Sequence, residues 1–230
     1  MREIVLDTET TGLDPLRGDR LVEIGCVEMF NRMPTGQTYH VYLNPERDMP
    51  LEAFQVHGLS SEFLADKPKF AAVVEEFLSF IADAPLVIHN ASFDVSFLNA
   101  ELTRVSRQPL HRDRLVDTLT LARRKHSGVS NRLDDLCSRY AIDNSRRTKH
   151  GALLDAELLA EVYIDLIGAR QSQLGLATEI RVAGSRLNDM PRRQRPTPLM
   201  PRLTDADRAA HHAFIATLGD KPVWADYLGN

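Results

Sequence analysis

Two acidic side chains stand close together near the start of the chain, directly after a short apolar run. Asp7 and Glu9 follow Ile4-Val5-Leu6, a run without polar alternation that predicts a central strand covered on both faces. Because residues i and i+2 of a strand point to the same side, both carboxylates would face one way. Such oxygen ligands suit a hard divalent cation such as Mg²⁺. The alternative is a strand that ends in a solvated turn at Gly12.

Two further carboxylates stand where a chemical and a structural explanation compete. Asp94 follows the short buried strand predicted over 86–89 and would lie in the first turn of a helix, where the macrodipole stabilises any anion. Asp155 shares the apolar face of a helix predicted over about 152–167. A carboxylate among core-packing residues is costly unless it is paired or bound to a cation, so a merely solvated Asp155 is the poorer interpretation. Asp117 is interpreted as an N-cap.

Apolar periodicity indicates the elements that must position these side chains. The stretches 20–30 and 38–43 alternate as strands, and with the first strand they form three strands joined by short links, which favours an antiparallel meander. A helix over about 68–82 carries a continuous apolar stripe, and a shorter one is predicted over 131–140. Residues 115–116 form a last short strand. We therefore expect an α/β fold with a mixed sheet.

Composition describes a globular protein of 230 residues, with 43% hydrophobic and 26% charged residues. No apolar run approaches the roughly 20 residues that cross a bilayer, and the N-terminus lacks a signal-peptide pattern, so we expect a cytoplasmic protein. Cys26 and Cys137 are too few for a disulfide framework or a cysteine-rich zinc site. A net charge of −4 argues against tight nucleic-acid binding by the chain alone. The basic loop 144–151 either is solvated or meets a phosphate backbone.

Three motifs follow one another along the chain: Asp7-Thr8-Glu9-Thr10-Thr11-Gly12, Val87-Ile88-His89-Asn90-Ala91-Ser92-Phe93-Asp94 and His150-Gly151-Ala152-Leu153-Leu154-Asp155. Together they resemble the motifs of the DEDDh 3′→5′ exonucleases over about residues 3–170, and most closely those of the epsilon proofreading subunits of bacterial DNA polymerase III. The resemblance implies an RNase H-like fold, a five-stranded mixed sheet flanked by helices, with its first three strands antiparallel. His150-Gly151 indicates the histidine class of the family.

The resemblance also implies a role for each motif residue at a site for two divalent ions, Mg²⁺ or Mn²⁺. Such ions clamp the attacking and leaving oxygens of a phosphodiester. Asp7 is expected to bridge both ions. Glu9 and Asp155 would complete the site of the ion that carries the nucleophilic water, and Asp94 would support the other. His150 is expected to be the general base, because a neutral imidazole accepts a proton.

A pocket for the 3′-terminal nucleotide of DNA is a further implication of the resemblance. Glu52 and His57 would touch this nucleotide, Asn90 and Phe93 would shape the pocket, and the backbone of Thr8 would meet the terminal base. His57 has a structural alternative, an ordinary turn residue before a glycine. A mismatched end frays easily and can enter a narrow pocket with little reading of its bases. The substrate contacts would be completed by the metal ligands Asp7, Glu9 and Asp155.

The chain changes character towards its C-terminus. We expect an exonuclease domain over 1–180, a flexible Pro/Arg-rich linker over 181–202 and a docking segment over 203–230. The docking segment opens with a capping-box pattern at Thr204-Asp205-Ala206-Asp207, which predicts the start of a helix. It also holds the only tryptophan, Trp224, a residue type that often anchors a partner.

Two partners are implied for this region. By the resemblance, residues 203–230 bind the polymerase alpha subunit; an unstructured segment is the alternative. Gln171-Ser172-Gln173-Leu174-Gly175-Leu176 resembles a sliding-clamp-binding peptide.

The expected function is therefore 3′→5′ proofreading of DNA by a metal-dependent exonuclease subunit of the replicative polymerase, in the cytoplasm with the replication machinery at the nucleoid. One alternative is a stand-alone DEDDh exonuclease that trims RNA or repair intermediates. The linker and the tryptophan-bearing segment argue against it, because a free-standing nuclease needs no tethered docking peptide. Another is a catalytically silent subunit that only stabilises the polymerase.

Overall fold

The computed structural model describes residues 1–147, 149–169 and 203–217. The chain divides into two units, Met1–Leu174 and Gly175–Asn230. Within the described ranges, none of the helices has the length and apolar character needed to span a membrane. The clamp-binding peptide expected at 171–176, the linker at 181–202 and Trp224 all lie outside the described residues.

A five-stranded sheet forms the centre of the first unit. The three strands β1, β2 and β3 pair antiparallel, and β4 and β5 are added in parallel beside β1. The order across the sheet is β3-β2-β1-β4-β5, so the expected mixed sheet with an antiparallel start is confirmed. The strands are β1 (Arg2–Thr10), β2 (Leu21–Phe30), β3 (Met33–Tyr42), β4 (Leu86–Ile88) and β5 (Leu115–Asp117).

Helices flank this sheet, and the three predicted over 68–82, 131–140 and 152–167 are present as α3, α6 and α7. In the described residues the α-helices are α1 (Leu51–His57), α2 (Ser61–Leu64), α3 (Phe70–Ile81), α4 (Ala91–Arg104), α5 (Thr118–Lys125), α6 (Leu133–Tyr140), α7 (Ala152–Leu166) and, in the second unit, α8 (Asp205–Ala216).

Two elements extend beyond what the sequence indicated. His57 is the last residue of α1 and not part of a simple turn; Gly58, with φ +77, ends that helix in the left-handed conformation. Strand β3 begins at Met33 and not near residue 38, because Met33 pairs with Phe30 of β2. The residues that open β3 are exposed, so they show no alternation from which a strand could be predicted.

The two helix starts predicted from capping residues are confirmed. Asp117 caps α5, with its Oδ1 accepting a 3.0 Å hydrogen bond from the backbone N–H of Leu119. Thr204 and Asp207 form a complete capping box at the start of α8. Each cap satisfies N–H groups that have no partner inside the helix.

Different helices cover the two faces of the sheet, and this division decides where the acidic residues point. Ile4 and Leu6 of β1 join the apolar cluster that includes residues of α3 and α4. Val5 points to the opposite face and packs in the cluster to which α7 contributes. Because side chains alternate along a strand, Asp7 and Glu9 share the face of Val5 and project towards α7.

Candidate active site

Helix α7 lies directly against β2 at Gly25, the residue that pairs with Asp7 across the two strands. A Cβ at Gly25 would come closer than 3.0 Å to backbone atoms at the start of α7, so only glycine leaves room for that first turn. Asp155 lies in the first turn and is buried, with 2% of its surface exposed. The close approach of helix and strand therefore brings Asp155 to the carboxylates of Asp7 and Glu9.

The fourth carboxylate reaches the same place from α4. Asp94 is buried in the first turn of this helix, which follows the strand parallel to β1. Thr8 Oγ1 donates a 2.7 Å hydrogen bond to Asp94 Oδ1 and so joins β1 to α4. The turn before the helix is held by the backbone N–H of Asn90, which donates to Asp117 Oδ1 at 3.1 Å. Asp117 thus supports the site from outside it.

One cavity of about 990 Å³ is lined by every residue that the sequence analysis assigned to the site. Its walls come from β1, α1, α4, α7 and the loop before α7, which are distant in sequence. Within it, His57 is buried and its Nδ1 accepts a 3.0 Å hydrogen bond from the backbone N–H of Leu59. The assigned residues among its lining are Asp7, Thr8, Glu9, Glu52, His57, Asn90, Phe93, Asp94, His150 and Asp155.

Burial, together with the charges of neighbouring carboxylates, raises the affinity of Asp7, Glu9 and Asp94 for protons. Burial, and then the charges of Asp94, Glu9 and Asp155, raise the pKa of Asp7 well above its ordinary value. Burial, followed by the charge of Asp155, raises the pKa of Glu9 to about 8, and burial raises the pKa of Asp94 to about 7. Each shift records the cost of burying negative charge without sufficient positive partners. Positive charge placed in this cavity would lower that cost.

The donor atoms fit divalent metal ions. One atom each from Glu9, His150 and Asp155 can lie within 4.8 Å of the other two, a spacing compatible with a single ion between them. The charges of Glu9 and Asp155 also act on the carboxylate of Asp7. Carboxylate oxygens are the ligands that Mg²⁺ and Mn²⁺ prefer.

Arg147 is a member of the site that the sequence analysis missed, because it treated loop 144–151 as solvated or phosphate-binding. Its side chain is 7% exposed, and its Nε and Nη2 donate to Asp155 Oδ1 and Oδ2 at 2.5 and 2.7 Å. Burial favours a raised pKa for Asp155, but hydrogen bonds from His150 and Arg147 hold it below its ordinary value. The signal was present in the sequence, since a carboxylate on an apolar helix face requires a partner.

His150 stands at the mouth of the cavity, on a loop that α1 holds in place. Its backbone N–H donates to the carbonyl oxygen of Val56 at 3.2 Å. The neighbouring Lys149 places its Nζ 5.2 Å from the ring centroid of Phe54, also in α1. The imidazole is 47% exposed, and its Nδ1 lies 2.7 Å from Nη2 of Arg147. Helix α1 therefore positions the histidine as well as lining the cavity.

Known proteins share this sequence over most of its length. A family model described as Exonuclease matches residues 4–163. The chain is 46% identical over 222 residues to DNA polymerase III subunit epsilon of Rickettsia conorii, which covers 95% of this chain and 96% of that protein. It is 44% identical over 232 residues to the same subunit of Escherichia coli, covering 93% of this chain and 92% of the relative.

Solved structures support the fold. Exonuclease X in complex with 5′ overhanging duplex DNA is 24% identical with a TM-score of 0.55, covering 72% of this chain and 91% of that one. Exonuclease I of E. coli in complex with a dA16 oligonucleotide is 19% identical with a TM-score of 0.62, covering 74% and 41%. The expected RNase H-like exonuclease fold is thereby confirmed. With the family model and the relatives taken together, the chain belongs to the exonuclease family and, within it, to the DNA polymerase III epsilon subunits.

Proposed function

We propose that this protein is the proofreading 3′→5′ exodeoxyribonuclease of a bacterial replicative polymerase and hydrolyses the terminal phosphodiester of a mismatched DNA 3′ end. The observation that carries the proposal is the meeting of four carboxylates and one histidine in a single cavity, although they come from three separate parts of the chain. A carboxylate cluster of this kind can hold paired metal ions for in-line displacement at phosphorus.

The four carboxylates would hold two ions of Mg²⁺ or Mn²⁺. Asp7 would be a ligand of both ions, and the charges of Asp94, Glu9 and Asp155, which all act on it, support this role. Glu9 and Asp155 would help to hold one ion, and Asp94, which accepts a hydrogen bond from Thr8, would help to hold the other. When bound, such ions activate a water molecule and stabilise the charge that develops on the phosphodiester oxygens.

His150 takes the proton of the attacking water in this proposal. Its imidazole lines the cavity with Nδ1 3.3 Å from Asp155 Oδ2, yet 47% of the side chain is exposed, so solvent can carry the proton away. The backbone bond to Val56 limits how far the loop can move from the carboxylates. A positioned general base contributes about 10² to 10⁴-fold to a rate.

The remaining walls suit one unpaired nucleotide. Phe93 offers a partly buried aromatic ring on which any base could stack. His57 must carry its ring hydrogen on Nε2, because Nδ1 accepts from the backbone N–H of Leu59, so this residue adds a hydrogen-bond donor to the lining of the cavity. Glu52 and Asn90 are exposed polar groups of the same cavity. Such contacts accept any base, as the removal of mismatches requires.

The docking region would connect this nuclease to the replication machinery. In the three-part division 1–180, 181–202 and 203–230, the last segment binds the polymerase alpha subunit and residues 171–176 bind the sliding clamp. Supporting this role, α8 exposes 60% of Phe214. A net charge of −4 gives the chain little electrostatic attraction for DNA, which favours delivery of the primer end by a partner. The protein would work in the cytoplasm, at the nucleoid.

The test is digestion of a 5′-labelled single-stranded DNA in Mg²⁺, Mn²⁺ or chelator, beside an RNA of the same sequence. We expect a metal-dependent ladder that shortens from the 3′ end, with DNA preferred. Asp7→Ala should abolish it, whereas Asp113→Ala, at an exposed carboxylate outside the cavity, should not. Preference for RNA would support a stand-alone trimming enzyme, and no cleavage with any metal would support a silent subunit.

Partner binding is tested separately with purified alpha subunit. Asp7→Ala should bind it like the wild type, and removal of 203–230 should eliminate binding while single-stranded DNA is still cut. If Asp7→Ala lost both cleavage and binding, the division into a nuclease and a docking segment would be wrong.

A further inference from the structure

We propose that Arg147 is the enzyme's own counter-cation: it occupies Asp155 in the ion-free enzyme and competes with the divalent ion for that carboxylate. This inference rests on the metal-dependent function proposed above. It assigns a positioning role to a residue that belongs to none of the three motifs.

The contacts of Arg147 coincide with the donor atoms available to an ion. Its Nε and Nη2 take both oxygens of Asp155, at 2.5 and 2.7 Å, in the bidentate arrangement that makes a strong charge-assisted pair. Nη2 also lies 2.7 Å from Nδ1 of His150. Asp155 is, with Glu9, one of the carboxylates proposed above to complete the site of one ion, and their donor oxygens can lie within 4.8 Å of each other. An ion that binds Asp155 would meet the guanidinium at the same two oxygens, and the repulsion between the two cations favours release of the guanidinium from at least one of them.

Arg147 has a second carboxylate to hold when it leaves Asp155. Its Nη1 donates to Asp134 Oδ2 at 2.7 Å, and Asp134, at the start of α6, is 55% exposed. The other oxygen, Asp134 Oδ1, accepts a 3.1 Å hydrogen bond from Asn144, so this anchor is itself fixed to the loop. The displaced guanidinium would stay at the mouth of the cavity, where it would face an arriving phosphate instead of the carboxylates.

Competition has a definite sign. If Arg147 and the ion exclude each other from Asp155, each weakens the binding of the other by the same factor. Removing the guanidinium should therefore tighten ion binding in the absence of DNA. Loss of a strong charge-assisted competitor corresponds to a dissociation constant for Mn²⁺ lower by about tenfold. If Arg147 merely supported loop 144–151, its removal would weaken ion binding, because the site would become disordered.

The experiment is isothermal titration of Mn²⁺ alone into the full chain without DNA, for the wild type and Arg147→Gln. The matched control is Arg146→Gln, which removes the same charge from a side chain that is 75% exposed. Its ion pair is a long one, with Nη2 3.7 Å from Glu157 Oε2. We expect about tenfold tighter binding for Arg147→Gln and less than about a twofold change for Arg146→Gln. Unchanged or weaker binding by Arg147→Gln would overturn the proposal. A wild type that binds no Mn²⁺ would instead overturn the metal-dependent function.

A second measurement needs no substitution in the site. In the wild type, the Nε–H resonance of Arg147 should shift as Mg²⁺ is added, with the same midpoint as ion binding, because the bond to Asp155 Oδ1 is released. A resonance that stays in place while Mg²⁺ saturates the site would show that the ion and the guanidinium do not compete.

Discussion

Replacing Gly25 by alanine should lower both the activity and the stability of the protein, although Gly25 takes no part in the proposed chemistry. Gly25 lies opposite Asp7 in the sheet, and a methyl group there would come closer than 3.0 Å to backbone atoms at the start of α7. Backbone at this point cannot rotate aside as a flexible side chain could. The first turn of α7, which carries Asp155, must therefore move away from β2.

The size of the effect follows from that geometry. Ordinary van der Waals contact begins near 3.4 Å, so the first turn must retreat by roughly 1 Å. Overpacking of this kind costs about 1 to 3 kcal/mol of the free energy of unfolding. A displacement of about 1 Å at a reacting centre can lower a rate about 10²-fold, because the metal ligands no longer converge.

Urea unfolding and initial rates of 3′-end release from single-stranded DNA would measure the two effects. The control is Gly36→Ala, where nothing lies within 4 Å of the new Cβ but φ is +85. It should lose roughly 1 kcal/mol to backbone strain and keep its activity. If Gly25→Ala were destabilised yet fully active, the close packing of α7 on Gly25 would not be needed to position Asp155. If Gly25→Ala were as stable as the wild type, α7 would not lie against β2 at this residue.

Three further substitutions probe charge and proton transfer. In chelator, the melting temperature of the wild type should fall between about pH 5 and pH 8, because folded Glu9, with a pKa of about 8, keeps a proton that the unfolded chain, with a pKa of 4.5, releases. Glu9→Gln should make this fall less steep. His150→Ala should lower kcat by about 10² to 10⁴-fold while calorimetry still detects Mn²⁺ binding. Glu101→Gln leaves the guanidinium of Arg20 without the carboxylate that it holds at 2.5 and 3.0 Å, and should cost about 3 kcal/mol in urea unfolding.

A contrary result would contradict each of these three predictions. Equal pH slopes for Glu9→Gln and the wild type would show that Glu9 is ionised in the ion-free fold. Near-normal turnover by His150→Ala would assign the proton transfer to another group. The control for Glu101→Gln is Glu75→Gln, at an exposed ion pair with Arg107, which should change stability by less than about 0.5 kcal/mol.

Local patterns allowed much of the fold to be predicted. The buried run before Asp7 and the caps at Asp117 and Thr204 depend on neighbours within a few residues, so the sequence displays them directly. Helix α1 was not predicted, because only His57 among its residues is buried and no apolar stripe marks it. The first residues of β3 were not predicted as strand for the same reason, since they are exposed.

Long-range contacts explain what was missed in the site. Arg147 is hidden among the other cations of its loop, and only the folded chain shows that it, and not the exposed Arg146, pairs with Asp155. The need for glycine at position 25 likewise arises from a helix that begins far along the chain. The family resemblance, which the family model and the relatives confirm, supplied the grouping of the acidic residues. Their individual roles stay predictions.

The most direct test of the proposed chemistry is a crystal structure with Mn²⁺ and thymidine monophosphate, with the ions located by anomalous scattering. We expect two Mn²⁺ peaks that share Asp7, one completed by Glu9 and Asp155 and the other on the side of Asp94, with His150 near the phosphate but bound to neither ion. A single peak ligated by Glu9, His150 and Asp155 would contradict this account, because a histidine whose ring nitrogen binds the metal cannot use that nitrogen to take the proton from water.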